Sequence, residues 1–236
     1  MALFRRKKGR VDVDESAPPG TDVDEERAAE QAADERPTEG PWDSAAAPDD
    51  ELPRLDLGAL LVPGFPGMEL RLEIDRATDR VVAATAVLGD AQLQLQAFAA
   101  PRSGGLWKQV RAEILAGLEQ AGGRAEEVDG RFGPELTAQV PGDAGGLQPA
   151  RFVGVDGRRW FLRGLFSGAA AEPGDATTQL EEVFAGTVVV RGDQAMAPRD
   201  LLQLHLPEQA PQATDAGSGW TSMEPLRRGP EITEIH

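Results

Sequence analysis

Strand signals joined by two-residue turns fill the middle of this sequence and favour a fold built from antiparallel hairpins. Leu70, Leu72 and Ile74 alternate with Glu69, Arg71 and Glu73, the period-2 pattern of a strand with one face on an apolar interior. Val81–Leu88 and Gln92–Phe98 follow, separated by Gly89-Asp90, a pair suited to a tight hairpin turn. Leu93, Leu95 and Ala97 alternate with Gln92, Gln94 and Gln96, so one side of that strand is expected to meet water. Phe152–Val155 and Arg158–Phe166 flank Asp156-Gly157, which predicts a further hairpin.

Two segments carry helical spacing instead. From about Leu106 to Gln120, Val110, Ile114 and Leu118 lie four apart, with Leu106, Trp107 and Leu115 beside them. They form one apolar stripe. Ser103 is the candidate cap and Gly122-Gly123 the stop. A second helix is predicted over about Ala176–Ala185, with Asp175 as N-cap, Leu180, Val183 and Phe184 as its stripe, and Gly186 as its end. Glu135–Val140 echoes Glu69–Ile74, so the order admits a duplicated strand–hairpin–helix unit. Strands at Thr187–Val190 and Leu202–Leu206 would close the domain. The expected class is α+β: a mostly antiparallel sheet with two helices packed on one face.

The flanks differ in composition. Residues 1–52 open with Arg5, Arg6, Lys7, Lys8 and Arg10 and continue in a block rich in Asp, Glu, Ala and Pro, opposed by Arg27 and Arg36. Ordering a residue costs about 1–2 kcal/mol of backbone entropy, and this block has little apolar surface to offset it. A disordered basic-then-acidic tail is expected there, a single α+β domain over 53–206, and an irregular tail over 207–236 broken by Pro207, Pro211, Pro225 and Pro230.

The net charge is −16 over 236 residues, which opposes a phosphate backbone unless a local basic surface overrides it. Cysteine is absent, which removes disulfides, thiolate metal sites and cysteine nucleophiles. The basic start lacks an apolar run after it, and no stretch reaches the roughly 18–20 apolar residues that cross a bilayer. A cytoplasmic location is expected. Leu3 and Phe4 beside the basic cluster suit weak contact of residues 3–10 with an anionic membrane surface.

Motifs for chemistry are sparse. His205 and His236 are the two histidines, and they cannot build a multi-histidine metal site. Neither Ser103 nor Ser167 lies in a nucleophile-elbow pattern, and there is no phosphate-binding loop ending in Lys-Ser/Thr. No catalytic residue, metal ligand or cofactor is therefore assigned. The richest cluster is Gly157–Gly164. On a strand, Arg159, Phe161 and Arg163 would project one way and Arg158, Trp160 and Leu162 the other. Arginines beside an aromatic ring suit an anionic group, a base or an acidic loop of a partner. Arg191 and Arg199, in the segment after Val190, would join them if the two segments share a sheet end. The candidate binding set is Arg159, Trp160, Phe161, Arg163, Arg191 and Arg199. The alternative for the same residues is a strand whose arginines pair with nearby acids while Trp160 fills the core.

Several stretches resemble an uncharacterised domain-of-unknown-function family of actinobacteria. They are Met1–Lys8, Gly130–Leu136, Asp156–Gly164, Val188–Asp193 with Met196–Asp200, and Arg228–Ile235. The resemblance implies a bacterial cytoplasmic protein encoded near a dUTP-hydrolysing enzyme and a small protein similar to an OB-fold nucleic-acid binder. It defines no catalytic residue. Where the family has Pro before Arg-Trp, this sequence has Arg158, a departure within the hairpin.

These readings converge on a non-enzymatic interaction protein with a protein partner. Its alternatives are nucleic-acid or nucleotide binding at the Arg/Trp surface and an enzyme with a carboxylate-only site. The ending Ile232–Ile235 would suit docking as an added strand.

Overall fold

The structure, a computed structural model, describes residues 39–142 and 145–207. Expectations for the remainder of the two tails, including membrane contact by residues 3–10 and strand docking by Ile232–Ile235, lie outside the described residues.

Strands follow in the order β1 (Trp42–Asp43), β2 (Arg54–Asp56), β3 (Leu60–Pro63), β4 (Glu69–Asp75), β5 (Arg80–Leu88) and β6 (Ala91–Ala99). Helix α1 (Leu106–Gln120) leads into β7 (Arg124–Gly130), β8 (Gly133–Pro141), β9 (Leu147–Gly157) and β10 (Trp160–Gly168). Helix α2 (Asp175–Gly186) and β11 (Val188–Val189) come last. The fold is α+β. A seven-stranded sheet has the order β4-β5-β6-β10-β9-β8-β7, every neighbouring pair antiparallel. A small sheet, β1-β11-β3-β2, is antiparallel except for β1 beside β11.

The hairpin at Gly89-Asp90 forms as the sequence predicts: Leu88 pairs with Ala91, and Gly89 has φ +59°, a value that suits glycine at the first central position of a hairpin turn. The other hairpin is displaced. Gly157 pairs with Trp160, so Arg158-Arg159 makes the turn and Asp156-Gly157 ends β9. Asp156 is engaged elsewhere, with helix α1.

The two helices do not share a face, which corrects the expected packing. Alternation along β10 puts Trp160, Leu162, Gly164 and Phe166 on one side and Phe161, Arg163 and Leu165 on the other. Helix α2 covers the first side. A Cβ on Gly164 would lie 2.8 Å from the ring of Phe184, so only glycine admits that ring so close. Helix α1 covers the second. A Cβ on Gly154, paired with Arg163, would lie 2.4 Å from the indole of Trp107. Two apolar clusters result. The larger contains Leu93, Leu95, Leu162, Phe166, Leu180 and Phe184 and includes Leu60 and Val62 of the small sheet. The smaller contains Leu106, Trp107, Leu136, Phe152 and Phe161.

This arrangement also bears on duplication. The order β4-β5-β6 and β8-β9-β10 does recur, and the two meanders meet at the antiparallel pair β6/β10. A rotation exchanging antiparallel neighbours in one sheet runs along the sheet normal and keeps each face. The helices occupy opposite faces, so the recurrence is one of strand order and not of packing.

Residues 40–43 pack on the domain, which moves the expected boundary. Trp42 and Asp43 pair with Val188 and Val189, and the Trp160 indole N–H donates to Asp43 Oδ2 at 2.8 Å. A locally polar segment is held here by contacts with residues far along the chain. At the other end, Leu202–Leu206 makes isolated bridges from Leu204 to Gly58 and Val81 rather than a regular strand.

Candidate binding site

At the start of α1 the uncovered half of the sheet meets the covered half, and a cavity of about 210 Å³ opens there. Its walls are Phe98 from β6, Phe161 and Arg163 from β10, Leu106, Val110 and Glu113 from α1, and Arg199 from the segment after β11. Three rings run under it. Phe161 stacks between Phe98 and Trp107 with centroids 5.8 Å apart on each side and interplanar angles of 25° and 21°. Such pairs add roughly 0.5–1.5 kcal/mol beyond the area they bury, which makes the floor rigid.

Cations stand on this floor. The Arg163 guanidinium lies 6.0 Å from the Phe98 ring centroid and donates to Gln96 Oε1. Among the described residues no carboxylate lies within ion-pair distance of it. Burial pushes its pKa down, with the more distant Glu73 opposing; the charged form is held where it is poorly solvated. Arg199 is tied down by Glu113 at 2.8 Å and by Gln109 Oε1 at 3.1 Å. Its backbone, at φ +75°, donates to Ala99 O at 2.8 Å and thereby fixes the segment against the end of β6.

The six residues singled out in the sequence separate into three groups. Phe161, Arg163 and Arg199 come together in the cavity. Arg159 lies in the turn, and its carbonyl accepts from Ala100 N at 3.0 Å and from Arg191 Nε at 3.1 Å. Arg191 and Arg159 thus share a sheet end through a bond from the Arg191 guanidinium to a main-chain carbonyl, not through a joint guanidinium site. Trp160 is 1% exposed on the opposite face, where it fills the core as the alternative reading held. Phe98 and Glu113 were not singled out; Phe98 had the alternation that puts it beside Gln94 and Gln96, but the chain gives no local sign that β10 is its neighbour.

A second charged cluster lies on the other face, under α2. Arg151 lies over the Phe166 ring at 4.4 Å and pairs with Glu181, while Glu135 Oε1 sits 3.9 Å from its Nε. Glu135 Oε2 and Arg151 Nε are buried without a hydrogen-bond partner among the described residues. Burial pushes the Glu135 carboxyl up; Arg151 pulls it down and Glu181 adds to the rise. The Arg151 guanidinium lies within ion-pair distance of both carboxylates. Among the described residues no three His, Asp or Glu side chains converge as a metal cage, and no helix is long and apolar enough to cross a membrane.

No curated protein and no solved structure matches the chain. A family model described as a protein of unknown function, DUF3710, matches residues 40–213. That span holds both sheets, both helices and the whole cavity. On this match the chain belongs to the DUF3710 family.

Proposed function

We propose that the chain is a non-enzymatic, cytoplasmic interaction protein whose cavity receives a carboxylate side chain of a protein partner. The observation that carries this reading is Arg163, a partly buried cation on an aromatic floor with no carboxylate of its own among the described residues. A buried guanidinium without a counter-charge is costly, and an incoming carboxylate would supply the charge in the bidentate geometry that arginine favours.

Size and charge narrow the occupant. Sites for small molecules and cofactors commonly measure about 300–1,000 Å³. A cavity of about 210 Å³ suits one side chain better than a nucleotide. Glu113 on its wall is paired with Arg199, and the net charge of −16 opposes a polyanionic phosphate backbone more than a single carboxylate. Leu106, Val110 and Phe98 offer an apolar collar of the kind that excludes water around a charged anchor.

The test is affinity purification of the full chain from its native host, with and without nuclease, beside an Arg163→Met variant. A protein partner that survives nuclease and is lost from the variant is expected. Capture that depends on nucleic acid, or that is equal for both chains, would overturn the reading.

A further inference from the structure

We propose that β4 is a dimerisation edge at which two copies of this chain join antiparallel, extending the seven-stranded sheet across a two-fold axis centred on Leu72. Strand β4 ends that sheet, and its outer backbone groups pair with no other strand among the described residues. An unpaired edge is a template for another strand. What fills it is decided by the sequence Glu69-Leu70-Arg71-Leu72-Glu73-Ile74-Asp75.

Turned antiparallel on itself about Leu72, this strand sets Arg71 opposite Glu73 twice, Leu70 opposite Ile74 twice, and Leu72 opposite its copy. Opposite charges directly across a strand pair are favourable, and both apolar pairs fall on the same face as the larger core. That face is unfinished at this edge. Leu70 and Leu72 are partly buried against the core, whereas Ile74 is 49% exposed. A second copy would bring its own Ile74 over Leu70. Glu73 leans inward over β5, accepting at Oε1 from Thr85 Oγ1 at 2.8 Å and Gln94 Nε2 at 2.7 Å, and would turn outward to meet Arg71 of the second copy. The one unfavourable pair, Glu69 with Asp75, falls at the two ends. There Glu69 keeps Arg71 at 2.9 Å, and Asp75 is held by Ala77 N and Thr78 Oγ1.

The opposite edge is less favourable when turned on itself about its central residue. In β7, Arg124-Ala125-Glu126-Glu127-Val128-Asp129-Gly130, the same operation sets Glu127 against Glu127. Like charges directly across are destabilising. A two-fold contact at β4 uses that edge in both copies, so it closes as an isologous dimer.

The experiment is sedimentation of the full chain over a concentration series. A dimer is expected for the natural sequence. Arg71→Glu alone and Glu73→Arg alone each bring like charges together and should weaken dimerisation by about tenfold or more. The double variant Arg71→Glu/Glu73→Arg restores opposite charges and should recover it. Mixing the two single variants should give a heterodimer, because each supplies the sign the other lacks. Circular dichroism confirms that the variants fold. A natural chain that stays monomeric, or single variants that dimerise as well as it does, would overturn the proposal. Neither outcome touches the cavity at Arg163, which is lined by β6, β10, α1 and the segment after β11.

Discussion

The carboxylate of Asp156, at the end of β9, accepts the backbone N–H of Trp107 in the first turn of α1, with N–O distances of 3.1 and 3.2 Å. A hairpin thus caps a helix far from it in sequence, in place of the expected local cap at Ser103. Helix α1 has Gly105 at its N-cap and no side-chain cap of its own, so Asp156 satisfies donors that would otherwise be orphaned. Losing such a cap costs about 1–2 kcal/mol. Asp156→Ala should destabilise the protein by that amount, and Asp156→Asn by less, because the amide oxygen still accepts. Urea unfolding of the three chains measures this. Equal stability of all three would remove the capping role.

Much of the fold was legible where the cause is local. The limits of α1 match the periodicity of Val110, Ile114 and Leu118, and the turn at Gly89-Asp90 follows from the residues themselves. Strands β1, β2, β3 and β7 were not: Trp42-Asp43, Arg54–Asp56 and Arg124–Gly130 carry weak alternation, Leu60–Pro63 is a short apolar run ending in proline, and all four are held by their partners in the sheet. Asp175 was expected outside α2 as its cap, yet it is the first helical residue and Gly174 precedes it at the cap. The candidate site divides in the same way. Phe161 and Arg163 could be put on one face by period alone. Their neighbours Phe98 and Glu113 required the pairing of β6 beside β10 and the placing of the first turns of α1 next to them.

The environment of Arg163 implies opposite effects on binding and on stability. Its guanidinium is poorly solvated and has no paired carboxylate among the described residues. An uncompensated buried charge is costly, and an apolar residue of similar length removes that cost. Arg163→Met keeps the stem against Phe98 and should leave the unfolding free energy unchanged or raised. Partner affinity should fall about 30-fold or more, the scale of removing one side of a buried charged pair. Calorimetric binding together with denaturant unfolding of the same variant checks both. A variant that loses stability and affinity in proportion would make Arg163 a structural residue.

Asp43 and Trp160 join the first described segment to the core. The indole ring is 1% exposed and its N–H has Asp43 Oδ2 as acceptor at 2.8 Å. Asp43→Ala leaves that buried donor unpaired, at a cost of about 1–3 kcal/mol. Trp160→Phe removes the donor itself, so Asp43→Ala added to it should cost less than Asp43→Ala alone. A double-mutant cycle by equilibrium unfolding reads this coupling. Strict additivity would show that the bond holds nothing.

Glu135 and Arg151 give the protein a pH response of known sign. Burial raises the Glu135 carboxyl above its ordinary value of 4.5, despite Arg151 beside it. The native state therefore binds this proton more readily than the unfolded chain. Its contribution to stability is fully present below 4.5 and is lost as pH rises through the native value. Asp50, held low by Arg54, and Asp75, held low by the N–H of Ala77 and the hydroxyl of Thr78, act in the opposite sense, so the raw stability curve mixes both. A difference isolates the group. Glu135→Gln keeps the shape and removes the titration, so the stability of the natural chain minus that of the variant should decline as pH is raised above about 4.5 and then level off. Unfolding both chains across a pH series measures it. A difference that instead grows with pH would show that the pair with Arg151 outweighs burial and that the Glu135 carboxylate is ionised in the folded protein at a lower pH than in the unfolded one.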